Sequence, residues 1–134
     1  MKKIVLFSTF SMMLLSFSCK KNVDQHIPPE ITFTTGSGFT SADATVQNGD
    51  SIHVGITITK KEDDLRTFNI AYAYDGATTS TTLLSYTMTA AEYGGYSNSY
   101  WIHTRSLAGT EKYTFTVVDR DGNLAQKAIT LTVQ

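Results

Sequence analysis

Beyond residue 30, apolar and polar side chains alternate with a period of two along most of the chain. Ile52, Val54, Ile56 and Ile58 alternate with Ser51, His53, Gly55, Thr57 and Thr59, which is the pattern of a strand with one buried and one solvated face. The same period recurs in Phe68, Ile70, Tyr72 and Tyr74 against Thr67, Asn69, Ala71 and Ala73, in Tyr113, Phe115 and Val117, and in Ile129, Leu131 and Val133. A first strand at Ile31 to Thr34 and two β-rich stretches, Thr81 to Met88 and Ser97 to Arg105, complete the set. Asn48-Gly49-Asp50, Asp75-Gly76, Tyr93-Gly94-Gly95-Tyr96 and Asp121-Gly122-Asn123 supply turns between them.

Thr45 to Gln47 reads as a continuation of the first strand after the Gly36-Ser37-Gly38 break, and Lys60 to Leu65 as a charged loop. No segment has the 3.6-residue period of an amphipathic helix, although Thr89 to Tyr93 fits a single helical turn. About seven short strands at this spacing predict an all-β, immunoglobulin-like two-sheet sandwich of antiparallel strands. Its inward face would be Ile52, Val54, Ile56, Ile58, Phe68, Ile70, Tyr72, Phe115, Val117, Ile129, Leu131 and Val133.

The first residues follow a different pattern. Met1-Lys2-Lys3 precedes an apolar run from Ile4 to Phe17 and the small residues around Ser18, the order of a secretory signal over residues 1–18. The run is about 14 residues, short of the roughly 20 that a spanning helix needs. Cys19 is the single cysteine of the chain, so no disulfide is available and apolar packing alone must hold the fold. Residues 19–29, ending in Ile27-Pro28-Pro29, show neither period and read as an extended tether. Residues 30–134 form the domain.

Removing residues 1–18 takes Lys2 and Lys3 with them and leaves nine basic against twelve acidic side chains, a formal charge of −3. Neither nucleic acid nor an anionic lipid surface attracts such a chain. Attachment to a membrane would therefore have to come from a covalent lipid. The Ser16-Phe17-Ser18-Cys19 string resembles a lipobox, with Leu14 and Leu15 just upstream, and this resemblance implies acylation of Cys19. An exported protein with an unpaired thiol carries a reactive liability that acylation removes.

The stretch from Gly109 through Tyr113, Phe115, Val117 and Asp119 to Gly122-Asn123, followed by Ile129-Thr130-Leu131-Thr132-Val133, resembles the last two strands of bacterial Ig-like and PKD-like domains. Tyr113 stands at the position of the tyrosine corner, and Phe115 where antibody domains carry a cysteine. Upstream, the Trp-Asp-Phe-Gly-Asp-Gly signature of PKD domains is missing, and Trp101 lies on the fifth expected strand. The whole layout is similar to small lipoproteins of the Bacteroidetes type. That likeness implies a spacer or binding module in the cell envelope.

No His-Glu-x-x-His, Gly-x-Ser-x-Gly or paired His and Cys occurs, so no enzyme is expected. Immunoglobulin topology would gather the loops carrying Glu62, Asp63, Asp64, Glu92, Asp119 and Asp121 at one pole, where calcium suits an oxygen-rich cluster. Ordinary turn chemistry and the interleaved Lys60, Lys61, Arg66 and Arg120 explain the same residues without an ion. Asp50-Ser51-Ile52 resembles the O-glycosylation sequon of exported Bacteroidetes proteins, with Ser51 as acceptor.

On the fifth strand Trp101 and His103 share the more polar face, and His53 points outward on the second strand. His53, Trp101 and His103 would form an exposed binding patch, unless a bulge turns Trp101 into the core. Two functional readings stay open. One is a lipid-anchored module that binds an envelope protein or glycan without catalysis; the other is a structural spacer or assembly subunit with no ligand of its own. Lys20 and Lys21 after Cys19 differ from the acidic stretch associated with surface export and favour the periplasmic side.

Overall fold

The computed structural model describes residues 23–134. The expected signal peptide, Cys19 and the first part of the tether lie outside the described residues. Eight strands follow in chain order: β1 (Glu30–Phe33), β2 (Ala44–Val46), β3 (Ser51–Thr59), β4 (Leu65–Tyr74), β5 (Thr81–Thr87), β6 (Gly95–His103), β7 (Gly109–Asp119) and β8 (Leu124–Val133). A three-stranded sheet in the order β1-β3-β6 packs on a five-stranded sheet in the order β2-β8-β7-β4-β5. This is the immunoglobulin-like sandwich that the alternation predicts. The helical turn expected near Thr89 is a 3-10 turn at Ala90–Glu92. Among the described residues no helix is long and apolar enough to cross a membrane.

Eleven of the twelve residues expected on the inward face are at most 4 % exposed. The exception is Tyr72, which is half-buried because it lines a groove where the two sheets part. Phe68 and Phe115 sit at the centre, with Phe33 edge-on to Phe115 at 5.2 Å across the sandwich. Each large apolar side chain so enclosed contributes roughly 1.5–3 kcal/mol, which is how a domain without a cross-link holds together.

Two local readings change. Ala44–Val46 does not continue β1; it crosses to the other sheet and pairs in parallel with Leu131–Val133. Gly36 and Gly38, at φ of 120° and 87°, turn the chain between the sheets, in conformations that only a residue without Cβ adopts readily. Leu65 belongs to β4 and is fully buried, not part of the charged loop. A bulge between Leu65 and Thr67 shifts the register, so an odd-numbered residue joins Phe68 and Ile70 on the inner face.

At the end of the sandwich where β6 gives way to β7, a carboxylate is sealed inside. Glu111 has no solvent exposure. Its Oε2 accepts the Tyr113 hydroxyl at 2.6 Å and its Oε1 the Arg105 backbone N–H at 3.0 Å. The Arg105 guanidinium lies 3.4 Å from Glu111, donates to Asp75 at 2.6 Å and stacks 4.5 Å above the Tyr74 ring. Tyr113, expected at the position of a tyrosine corner, thus donates to a buried carboxylate of its own strand instead of to upstream backbone, and the phenol is held well above its ordinary pKa by burial and by that carboxylate. Gly109 is required beside the network, since a Cβ there would come within 2.3 Å of Arg105 and Asp75.

Glu111→Ala should lower stability by about 3 kcal/mol, because it strands a buried hydroxyl, an N–H and a guanidinium. Tyr113→Phe should lower it by about 2 kcal/mol. Urea unfolding with an unchanged m-value checks both, and losses below about 0.5 kcal/mol would show that the network is not structural.

Candidate functional site

The pairing of β3 with β6 places His53 directly opposite Trp101 and Ser51 opposite His103. Because Ile52, Val54 and Ile102 point into the core, their neighbours point out. Trp101 is 71 % exposed, an unusual state for a side chain that is mostly buried in folded proteins. No bulge turns it inward.

The indole does not hang loose. Its ring lies 4.3 Å from the His53 imidazole with an interplanar angle of 5°, and the imidazole lies 4.5 Å from the Phe39 ring at 24°. Phe39, His53 and Trp101 therefore form a three-ring stack across the outer face of the small sheet. His103 is exposed beside it, with its Nδ1 2.9 Å from Ser51 Oγ. The expected trio does share one face, and the proposed glycosylation acceptor Ser51 belongs to the same surface.

Phe39 escaped the sequence reading because it lies in a Gly- and Ser-rich loop with no periodicity. Its position depends on the backbone. The Thr40 N–H donates to the His53 carbonyl at 2.7 Å and the Thr34 N–H to the Gly55 carbonyl at 2.8 Å. A Cβ on Gly55 would stand 2.6 Å from Thr34 Oγ1 and 2.9 Å from the Phe39 ring. A glycine among the outward positions of an otherwise regular strand was the available signal that something packs over it.

On its far side Trp101 borders a groove of about 470 Å³, between the edge strands β5 and β6. Tyr72, Tyr74, Leu83 and Tyr100 line it with Trp101, over a floor that includes Ile102. The Tyr100 hydroxyl is 2.7 Å from that of Tyr96, and burial raises its pKa above the usual phenol value, so it stays protonated. The neighbourhood is aromatic, neutral and bordered by hydrogen-bonding groups.

The six acidic residues also gather at one end, as the topology requires. The Arg120 N–H donates to the Asp64 carbonyl at 2.8 Å and the Leu65 N–H to the Tyr93 carbonyl at 2.9 Å, so the three loops touch. Most of these carboxylates have local work. Glu62 accepts the N–H groups of Gln25 and Ile27, which hold it below the ordinary glutamate pKa. Asp64 pairs with Lys60 at 2.6 Å. Glu92 caps its own turn through Thr89 and accepts the Tyr86 hydroxyl. Asp119 accepts the N–H groups of Asp121 and Asn123. Asp63 and Asp121 remain, joined through Arg120 and approached by Asp24.

The sequence matches no protein-family model and no curated protein. Its fold is similar to that of a chitin-binding domain from Burkholderia pseudomallei, with a TM-score of 0.51 and 13 % identity over 70 % of this chain. The chain spans 58 % of that domain's length. A chain of the complex between Zinc 2-glycoprotein and Prolactin inducible protein from human seminal plasma is also similar, with a TM-score of 0.51 and 9 % identity, over 86 % of this chain and all of that one. Both likenesses concern the fold.

The exposure of Trp101 has a direct optical consequence, because it is the only tryptophan. Emission should resemble that of free indole and quench readily with acrylamide. Trp101→Ala should lower stability by about 1 kcal/mol, the worth of the lost stack, against the 3–5 kcal/mol of a core tryptophan. A blue-shifted, protected signal would place the indole in the core instead.

Proposed function

We propose that the protein is a lipid-anchored, non-catalytic binding module of the bacterial cell envelope, facing the periplasm, which holds a glycan against Trp101. The observation that carries the reading is the indole itself. One face is backed by His53 and the rest stands in solvent. A flat apolar surface fixed in position suits the apolar face of a sugar ring, and hydrogen-bonding groups beside it, here His103 and Ser51, suit the hydroxyls. Preorganisation matters, since an indole already fixed by stacking loses little freedom on binding. The chitin-binding domain of similar fold supports this choice of ligand class.

The point where the tether enters the domain also lies far from the platform. The tether enters β1 at Glu30, which pairs with Thr59 at the end of β3, whereas His53 lies near its beginning. Six residues of strand separate the two, about 20 Å. A protein held by an acyl chain on Cys19 would present Trp101 away from the membrane, towards soluble or cell-wall ligands.

Two measurements test the two halves of the proposal. Intact-mass analysis of the membrane-purified protein should show acyl addition at Cys19, and Cys19→Ala should leave an unanchored product; an unmodified mass from the native protein sinks the anchor. On a glycan array the protein should retain a defined class of polysaccharide, with at least about 10-fold weaker binding by Trp101→Ala. A blank array together with stoichiometric recovery of a neighbouring envelope protein would instead support the spacer or assembly role.

A further inference from the structure

At the end of the sandwich where the tether enters, three carboxylates from separate parts of the chain converge. Asp24 precedes β1, Asp63 lies between β3 and β4, and Asp121 lies between β7 and β8. One oxygen of each lies within 4.8 Å of those of the other two. Calcium–oxygen bonds of about 2.4 Å place ligand oxygens up to about 4.8 Å apart around one ion.

Convergence of acidic groups is not by itself a site, but Asp63 adds an independent observation. Its side chain is only 8 % exposed. Oδ1 receives Arg120 Nη2, while the buried Oδ2 has no hydrogen-bond partner. A buried carboxylate oxygen without a partner is unfavourable unless positive charge meets it.

Charge balance points the same way. Arg120 pairs with Asp63 and Asp121, so one positive charge faces three carboxylates, of which Asp24 also accepts the His26 backbone N–H at 2.9 Å; a divalent cation would offset the excess. Other charged groups nearby are already engaged: Glu62 with the N–H groups of Gln25 and Ile27, Lys60 with Asp64, and Lys61 with Glu30. The imidazole of His26 lies 3.2 Å from Asp24 Oδ2. Hard oxygen donors with no cysteine among them select calcium over transition metals, and the exposure of Asp24 and Asp121 leaves room for the waters that complete its shell.

We propose that Asp24, Asp63 and Asp121 bind one calcium ion that fastens the segment leading into β1 to the loops at this end of the domain. The ion would set the angle between tether and sandwich. Three carboxylates and several waters correspond to a dissociation constant of about 10⁻⁴–10⁻³ M, matched to extracellular calcium.

The test uses the membrane-purified protein in detergent after EDTA treatment. Calcium chloride at 5 mM should raise Tm by about 4 °C, and isothermal titration should give one site per chain. Asp24 belongs to no strand, so Asp24→Asn should leave the Tm of the EDTA-treated protein unchanged and abolish the calcium response. Glu92→Gln, altered at a carboxylate engaged elsewhere, should keep that response. No shift and no heat with calcium, an equal response in Asp24→Asn, or an equal response to magnesium would each overturn the proposal.

Discussion

Much of the domain follows from the pairing of β3 with β6. Ile52, Val54, Ile56 and Ile58 are each at most 4 % exposed, so β3 has one admissible register. A slip of one residue would drive four β-branched side chains into water and His53, Thr57 and Thr59 into the core. Opposite them, Ile102 and Tyr96 complete the same core face. Trp101 stands outside because burying it would expose these residues. The platform is thus a by-product of the core, held in place by the same free energy that folds the chain.

The two ends of the sandwich use charge differently. Where β6 meets β7, Glu111 is fully enclosed: both its oxygens accept hydrogen bonds, from Tyr113 and from the Arg105 backbone, and the Arg105 guanidinium lies beside it and donates to Asp75. Where β3 meets β4, the carboxylates are numerous but mostly engaged in local turns and caps, as with Asp119 and Glu92. Among the carboxylates of the described residues, only Asp63 is both buried and left with an oxygen that has no hydrogen-bond partner. Counting acidic residues along a loop therefore overstates a site, while the state of one oxygen identifies it.

The open side between β5 and β6 gives the surface its character. Both strands are sheet edges, and between them the two layers part far enough for a groove edged by Tyr72, Tyr74 and Trp101. Exposed edges usually carry charge or are covered to avoid unwanted pairing. Here β6 reads Gly-Tyr-Ser-Asn-Ser-Tyr-Trp-Ile-His, with no Lys, Arg, Asp or Glu, a composition that keeps charge off the edge and makes it aromatic.

Alternation along the chain was enough to specify the sandwich, eleven residues of its inner face and the outward phase of His53, Trp101 and His103. Period-two alternation is a local property, and burial reads it directly. Its failures were also local: the bulge after Leu65 broke the phase, and the short Ala44–Val46 strand carried no alternation to show which sheet it would join. Packing in three dimensions was needed to bring Phe39 over Gly55 and extend the stack, to join Tyr113 to Glu111, and to carry Asp24 to Asp63 and Asp121. Phe39 lies 14 residues before His53, and Asp24 lies 97 before Asp121. Contacts across such separations depend on loop paths and on which partner claims each oxygen, and no repeat along the chain encodes either.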